Sequence, residues 1–280
     1  MKIVSLCPSN TELIYYAGAG EQLVGIDDFS DFPYEITSQL PRLGPDLDIR
    51  MDDVEKLQPD LVFASHSVPG MEKNTAEMDR RGIPYVLVTN PVSLRGIGEA
   101  LEETAGALGR KAEGKQKRQA FDHFLDSYQT MAQAVPHRPR VYWEWWPKPV
   151  FTPGRTNWLT ELTDLAGGKN LFGDYPEASV QTTWDEVLAR DPDRIFAAWV
   201  GVRRQKVNPE VLLKRQGWRD MRAVREDHLY ILDEPLYCRP SPRLMAGLAE
   251  AAHLLHPDIF PVPDGEEDLR TLGIKGRGLS

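Results

Sequence analysis

The sequence predicts an α/β protein of two lobes, each a mainly parallel sheet flanked by helices, joined by a single long backbone helix. Three observations carry that reading. Short apolar runs alternate with amphipathic segments on both sides of residues 94–135, which is the pattern of βαβ units. Residues 94–135 themselves are helical in texture and contain no candidate strand. The two halves also echo each other. Gln58-Pro-Asp-Leu-Val-Phe-Ala64 and Arg190-Asp-Pro-Asp-Arg-Ile-Phe-Ala197 each spell a helix end, a turn and a buried strand. The expected boundaries are 1–110 for the N-terminal lobe, 111–137 for the backbone helix, 138–260 for the C-terminal lobe and 261–280 for a polar, frayed tail.

In the first lobe the apolar runs place strands at 2–6, 23–26, 61–64 and 85–88, with helices near 10–18, 52–58 and 71–81. Ser9-Asn-Thr-Glu12 has the form of a capping box, so a helix should start directly after the first strand, and Gly18 and Gly20 should end it. Helices follow at 94–108 and 111–135, divided by Gly109. The second, about 25 residues long, spans roughly 37 Å at the usual rise, enough to cross between lobes. Pro136 and Pro139 stop it. Strands resume at 140–144, 194–198 and 229–232, and helices at 158–166, 184–190 and 242–256. Thr183-Trp-Asp-Glu186 repeats the capping-box pattern, and Pro242 suits a first helical turn.

Composition narrows the function classes. Apolar residues make up 41% and charged residues 27%, an ordinary globular balance. The net charge of −9, with no basic run outside 114–118, argues against a nucleic-acid partner, which needs a concentrated cationic face. No apolar stretch is long enough to insert directly into a membrane. The start at Met1 shows no apolar leader or lipid-anchor motif ahead of Cys7, so the chain as written reads as cytoplasmic, or extracytoplasmic if a leader has been removed. Cys7 and Cys238 are too few for a disulfide framework and lack metal spacing, so both read as buried free thiols near one cleft. Gly-rich phosphate loops, nucleophile elbows and paired zinc motifs are missing, so the sequence predicts binding rather than catalysis, with no catalytic cofactor and no metal site.

Arg140-Val-Tyr-Trp-Glu-Trp-Trp-Pro-Lys-Pro-Val-Phe-Thr-Pro-Gly154 gathers rings and one carboxylate at the end of a buried strand. Prolines that cannot continue a ladder put Trp145 and Trp146 at the strand's mouth, where large rigid rings suit a broad, flat ligand. A plain core cluster fits the same residues. The cleft reading predicts that Trp145→Ala or Trp146→Ala weakens ligand binding and leaves the fold intact.

Several motifs in order resemble class III substrate-binding proteins, the helical-backbone receptors of ABC importers for cobalamin, haem and ferric siderophores. In the first lobe they are Ser5-Leu-Cys-Pro-Ser-Asn-Thr-Glu-Leu13, Val24-Gly-Ile-Asp-Asp-Phe-Ser-Asp-Phe-Pro33 and Leu57-Gln-Pro-Asp-Leu-Val62. In the second they are Phe151-Thr-Pro-Gly154, Leu165-Ala-Gly-Gly-Lys-Asn-Leu-Phe172 and Arg239-Pro-Ser-Pro-Arg243. The likeness covers about residues 2–257 and is greatest to the vitamin B12-binding branch.

The resemblance implies a corrinoid, or another metal chelate, held between loops at the strand ends of two lobes, by a monomer that serves an ABC permease dimer. It implies ligand contacts from Pro8, Ser9, Asp28, Phe29, Pro45, Asp46, Ser65 and His66 on one side. On the other side it implies Glu144, Trp145, Trp146, Trp199, Arg203, Tyr237, Arg239 and Arg243. His66 is read as a polar lining residue rather than a metal ligand, and adjacent Asp27 and Asp28 as a solvated turn rather than a metal pair. Arg239 and Arg243 would alternatively brace the last helix through Asp233 and Glu234. Permease docking would fall to Asp52 or Asp53 on one lobe and Asp185 or Glu186 on the other. The sequence departs from the B12-binding branch at Asp46, where that branch places a cleft tryptophan, and at Glu144 and Trp145, where the family carries smaller or neutral groups. A ferric siderophore or haem is the alternative ligand, and an enzyme on the same scaffold a remote one.

Overall fold

The computed structural model describes residues 1–274. In chain order the first lobe contains β1 (Ile3–Ser5), α1 (Pro8–Tyr16), β2 (Leu23–Ile26), α2 (Tyr34–Thr37), α3 (Met51–Leu57), β3 (Leu61–Ala64), α4 (Glu72–Arg81) and β4 (Tyr85–Leu87). Two helices, α5 (Leu94–Ala107) and α6 (Lys111–Ala132), lead to the second lobe. It opens with β5 (Arg140–Glu144), β6 (Trp146–Pro147), β7 (Val150–Pro153) and α7 (Trp158–Leu165). Then come β8 (Lys169–Asn170), β9 (Ser179–Thr182), α8 (Trp184–Arg190) and β10 (Arg194–Ala197). The chain continues through α9 (Glu210–Leu213), α10 (Arg222–Arg225), β11 (Leu229–Ile231), α11 (Leu244–Leu255) and α12 (Glu267–Thr271).

Each lobe is built on a four-stranded parallel sheet, ordered β2-β1-β3-β4 in the first and β11-β10-β5-β8 in the second. Both sheets are buried on both faces, as parallel sheets must be. The strand period of two decides what each face meets. Ile3, Phe63, Val141, Trp143 and Phe196 point into one core that runs through both lobes and includes Leu101, Phe121 and Leu248. Their neighbours Val4 and Val62 fill an outer core with Met78 in the first lobe. Tyr142 and Ile195 do the same with Trp218 in the second. The shared core is what α5 and α6 supply. They pack so closely that a Cβ at Gly114 would lie 2.6 Å from the Ala105 Cβ.

The predicted strands fall within a residue or two of their expected positions, β8 at the edge of the second sheet was not expected, and three local features differ. The Ser9 capping box does not form: α1 begins at Pro8, with Cys7 in the cap position and no side-chain cap. Proline is already set for a first turn, and Glu12 is drawn away to other partners. Thr183 does cap α8, accepting the Glu186 N–H at 3.2 Å. Helix α11 starts at Leu244, two residues past Pro242. The chain after Trp145 adds a small antiparallel sheet, β6-β7-β9, in which Pro147 lies on an edge strand and Pro153 at a strand end.

The tail is not frayed through residue 274. Helix α12 packs on the core through Leu269, Leu272 just after it joins the same core, and the Tyr16 hydroxyl donates to buried Asp268. Residues 275–280, the end of the expected tail, lie outside the described residues.

Candidate ligand-binding site

A cavity of about 620 Å³ lies where the C-terminal strand ends of the two sheets face each other. That is where open α/β sheets present their ligand-binding loops. From the first lobe it is lined by the β1–α1 junction at Cys7, Pro8 and Ser9, and by the loop after β2 at Asp28–Asp31. Arg42 and Asp46, Ser67 and Val68 after β3, and Asn90 after β4 complete that wall. The second lobe contributes Trp158 at the start of α7, Val200, Gly201 and Arg203 after β10, and Glu234, Pro235, Cys238, Arg239 and Pro240 after β11.

The loop after β2 is held rigid from behind. Asp27 is fully buried and accepts the Phe29 N–H at 2.8 Å and the Ser30 hydroxyl, which corrects the solvated-turn reading. Burial outweighs those hydrogen bonds and pushes its carboxyl up to about 6. Arg42 lies beneath the loop and donates to the carbonyls of Asp27 (3.1 Å), Thr37 (3.1 Å) and Ser30. Asp28 is exposed at the cavity, with one carboxylate oxygen taking the Gly44 N–H at 3.1 Å. Gly44 has φ +107°, and a Cβ there would meet the Asp48 carbonyl at 2.5 Å, so this anchor requires glycine. Phe29 is thereby displayed with 53% of its surface open.

Arg239 ties the walls together. Its guanidinium donates to Glu12 of α1 at 3.0 Å and to Asp31 at 2.6 Å, and it lies 3.7 Å from Glu234. Glu12, almost fully buried, also accepts from Arg243 at 3.3 Å and from the Ser241 hydroxyl. Burial would raise Asp31, but Arg239 overrides it and holds that carboxyl below the ordinary range. Both cysteines are free thiols in the cavity wall, and burial pushes both pKa values up, so they stay protonated at neutral pH.

The structure brings together Pro8, Ser9, Asp28, Phe29, Asp46, Arg203 and Arg239 of the residues that the resemblance implied. The others fall elsewhere. Glu144 is fully buried, in a two-toothed ion pair with Arg215 at 2.5 and 2.8 Å, and accepts from Trp199 Nε1 (3.1 Å) and the Tyr142 hydroxyl (2.9 Å). Trp199 is buried with it. Tyr237 is in the core, where its hydroxyl donates to Glu250 at 2.6 Å. Trp145 stands edge-on to Trp158 at 6.4 Å, and Trp146 sits exposed on the β6–β7 hairpin, its Nε1 donating to the Lys148 carbonyl at 2.9 Å. Arg243 stacks over Phe32 at 4.3 Å and pairs with Glu12, not with Asp233 or Glu234. Ser65 is buried and accepts the Ser67 N–H at 3.1 Å; His66 is exposed and paired with Thr75 at 3.0 Å. Pro45 is exposed beside the lining residue Asp46.

Sequence reasoning missed Trp158, Arg42 and Asp31. Trp158 had a signal, since Asn157 caps its helix and the tryptophan therefore sits at a helix start beside the cleft. Asp31 acts through Arg239, remote in sequence, and Arg42 through backbone carbonyls of the preceding segment, which no residue pattern announces.

Two parallel-sheet lobes, a shared helical layer and a ligand-sized cavity at facing strand ends define a substrate-binding protein. The family model described as periplasmic binding protein matches residues 3–236, and the chain belongs to that family. It is 28% identical over 263 residues to the ABC transporter substrate-binding lipoprotein YvrC of Bacillus subtilis, itself uncharacterized, covering 92% of this chain and 81% of that one. It is 24% identical to the vitamin B12-binding protein of Vibrio parahaemolyticus, covering 89% and 87%. Among solved structures, the periplasmic heme-binding protein RhuT of Roseiflexus shares the fold with a TM-score of 0.80 at 24% identity, covering 91% of this chain and 98% of that one. The periplasmic vitamin B12 binding protein BtuF of Vibrio cholerae does so at 0.72, also at 24%, covering 91% and 96%. The chain is thus a substrate-binding protein of the ABC-importer kind.

Proposed function

We propose that this chain binds a corrinoid in the cavity between its lobes and delivers it, as a monomer, to an ABC permease outside the cytoplasm. The observation that carries the reading is the character of the two walls. Phe29 and Val68 on one side, and Trp158 and Val200 on the other, offer apolar surface to a flat ring, while hydrogen-bonding groups surround them. The volume lies inside the roughly 300–1,000 Å³ usual for small-molecule sites. Among the described residues, the lining holds no imidazole or phenol, and its two thiols are kept protonated. A haem iron looks to such groups for an axial ligand. A corrinoid whose cobalt already carries its ligands needs none. Relatives named for vitamin B12 binding support the same choice, whereas heme-binding structural neighbours keep haem as the alternative.

Calorimetric titration with cyanocobalamin, dicyanocobinamide and haemin tests this. Saturable one-to-one binding of a corrinoid is expected, and haemin binding with silence from both corrinoids would overturn it.

For docking, Asp52 and Asp185 are the best placed of the four acidic candidates. Both are exposed in the first turns of α3 and α8. Asp53 is held by Arg50 and Lys56, and Glu186 by Thr182, Tyr175 and Arg190. Asp52 also meets Arg81 at 2.6 Å, an exposed pair worth little. Reversing both charges (Asp52→Lys with Asp185→Lys) should leave ligand affinity unchanged and abolish uptake through the permease.

A further inference from the structure

The charges around the cavity do not cancel locally, and their residue-by-residue balance points to the chemical class of ligand. Resting on the reading of this cavity as the ligand site, we propose that Asp28 and Asp46 select a chelate that is neutral or cationic and edged with N–H donors over one edged with carboxylates. Among the described lining residues, Arg203 offers the berth for an anionic group.

Four carboxylates and three guanidiniums line the cavity, and most are already committed to one another. Arg239 is spent on Glu12, Asp31 and Glu234, so it has little left for a ligand anion. Arg42 has turned its donors to the carbonyls of the loop above it. What remains is lopsided. On the first-lobe wall, Asp28 receives only a backbone N–H, and Asp46 has no cationic partner among the described residues. On the second-lobe wall, Arg203 is exposed, with no hydrogen bond or ion pair among the described residues.

A ligand entering between them meets two open carboxylates on one side and one open guanidinium on the other. Like charge brought against Asp28 and Asp46 in a partly desolvated cleft is costly, which disfavours a macrocycle carrying two carboxylates. Primary amides offer N–H groups to the same oxygens as charged-acceptor hydrogen bonds, the stronger kind. Cyanocobalamin and dicyanocobinamide share an amide-fringed corrin, but only the first carries a phosphodiester, the anion that Arg203 is placed to receive.

The test compares dicyanocobinamide, cyanocobalamin and haemin, whose two propionates supply the carboxylate edge, on the wild type and on Asp28→Asn, Asp46→Asn and Arg203→Ala. The asparagine variants keep an acceptor and the side-chain size, and thermal melts verify that each is folded. Each should weaken dicyanocobinamide about tenfold and strengthen haemin. Arg203→Ala should weaken cyanocobalamin about fivefold and leave dicyanocobinamide within about twofold. Unchanged ligand preference in both asparagine variants would overturn the inference even where the wild type binds corrinoids well. A wild type that binds neither corrinoid, but whose asparagine variants gain haemin affinity, would support charge selection while the corrinoid reading falls.

Discussion

Asp27 directly follows β2 at the base of the loop that displays Phe29, and its burial makes its charge sensitive to pH. Its carboxyl ionises near 3.8 in an ordinary setting and near 6 here. Between those values the folded protein keeps a proton that the unfolded chain has released. Stability from this group is therefore full below the ordinary value and falls as pH rises through the window, by roughly 3 kcal/mol. Urea unfolding of wild type and Asp27→Asn across pH 4 to 6 should show the wild type losing ground to the variant as pH rises. A constant gap would mean that Asp27 does not titrate there. Among the aromatic residues, Trp158→Ala should weaken corrinoid binding about tenfold or more, and Trp146→Ala should leave it unchanged, as titration would show. The aromatic run was legible as a ring-rich strand end, but its orientation was not. Trp143 points into the core, Trp145 backs Trp158, and Trp146 turns outward on a hairpin, since strand alternation and a turn disperse adjacent rings.

At the scale of elements, the exit of β10 depends on the end of β5. Glu144 closes that strand, and Arg215 reaches it from 71 residues further on, its guanidinium stacked between Trp184 at 4.5 Å and Trp218 at 4.4 Å. The Ala198 N–H donates to the Glu144 carbonyl and the Val200 N–H to the Trp145 carbonyl, both at 3.0 Å. The pair thus fixes the base of the loop that carries Val200 and Arg203 to the cavity. Glu144→Gln leaves a buried guanidinium without its full partner and should cost about 3–5 kcal/mol in denaturant unfolding. Glu144→Met combined with Arg215→Met, which removes both charges, should recover most of that loss; failure to recover would place the cost in packing rather than in the unpaired charge. Long periodic elements were readable because pattern alone sets them, so α5, α6, α8 and β5 came within a few residues. A carboxylate at a strand end looks the same in sequence whether it faces a ligand or a distant arginine, so nothing local corrects the resemblance that puts Glu144 in the cleft. Likewise α12 is polar on one side, and nothing local announces that Tyr16 waits for Asp268.

For the molecule as a whole, the question is how freely the lobes move when ligand arrives. The inner core runs unbroken from Ile3 and Phe63 through α5 and α6 to Trp143 and Phe196, so the two lobes share one apolar interior. Three polar ties reinforce it: Arg239 with Glu12 and Asp31, Arg243 with Glu12, and the Leu94 N–H with Glu161 at 2.7 Å. Opening the cleft would expose Glu12 and pull Arg239 from its carboxylates, which is expensive when the partners are buried. The cavity is therefore largely preformed, and binding spends little free energy on closure. Glu12→Gln weakens the hold on Arg239 and Arg243 while Asp31 and Glu234 still anchor the former. It should cost about 3 kcal/mol in stability and raise amide exchange in α1 and the 239–243 segment. In the wild type, ligand should leave the radius of gyration nearly unchanged; in Glu12→Gln, ligand should shrink it, because a loosened cleft must close before both walls touch one ring. Equal and large compaction in both proteins would show that the clamp does not set the lobe spacing.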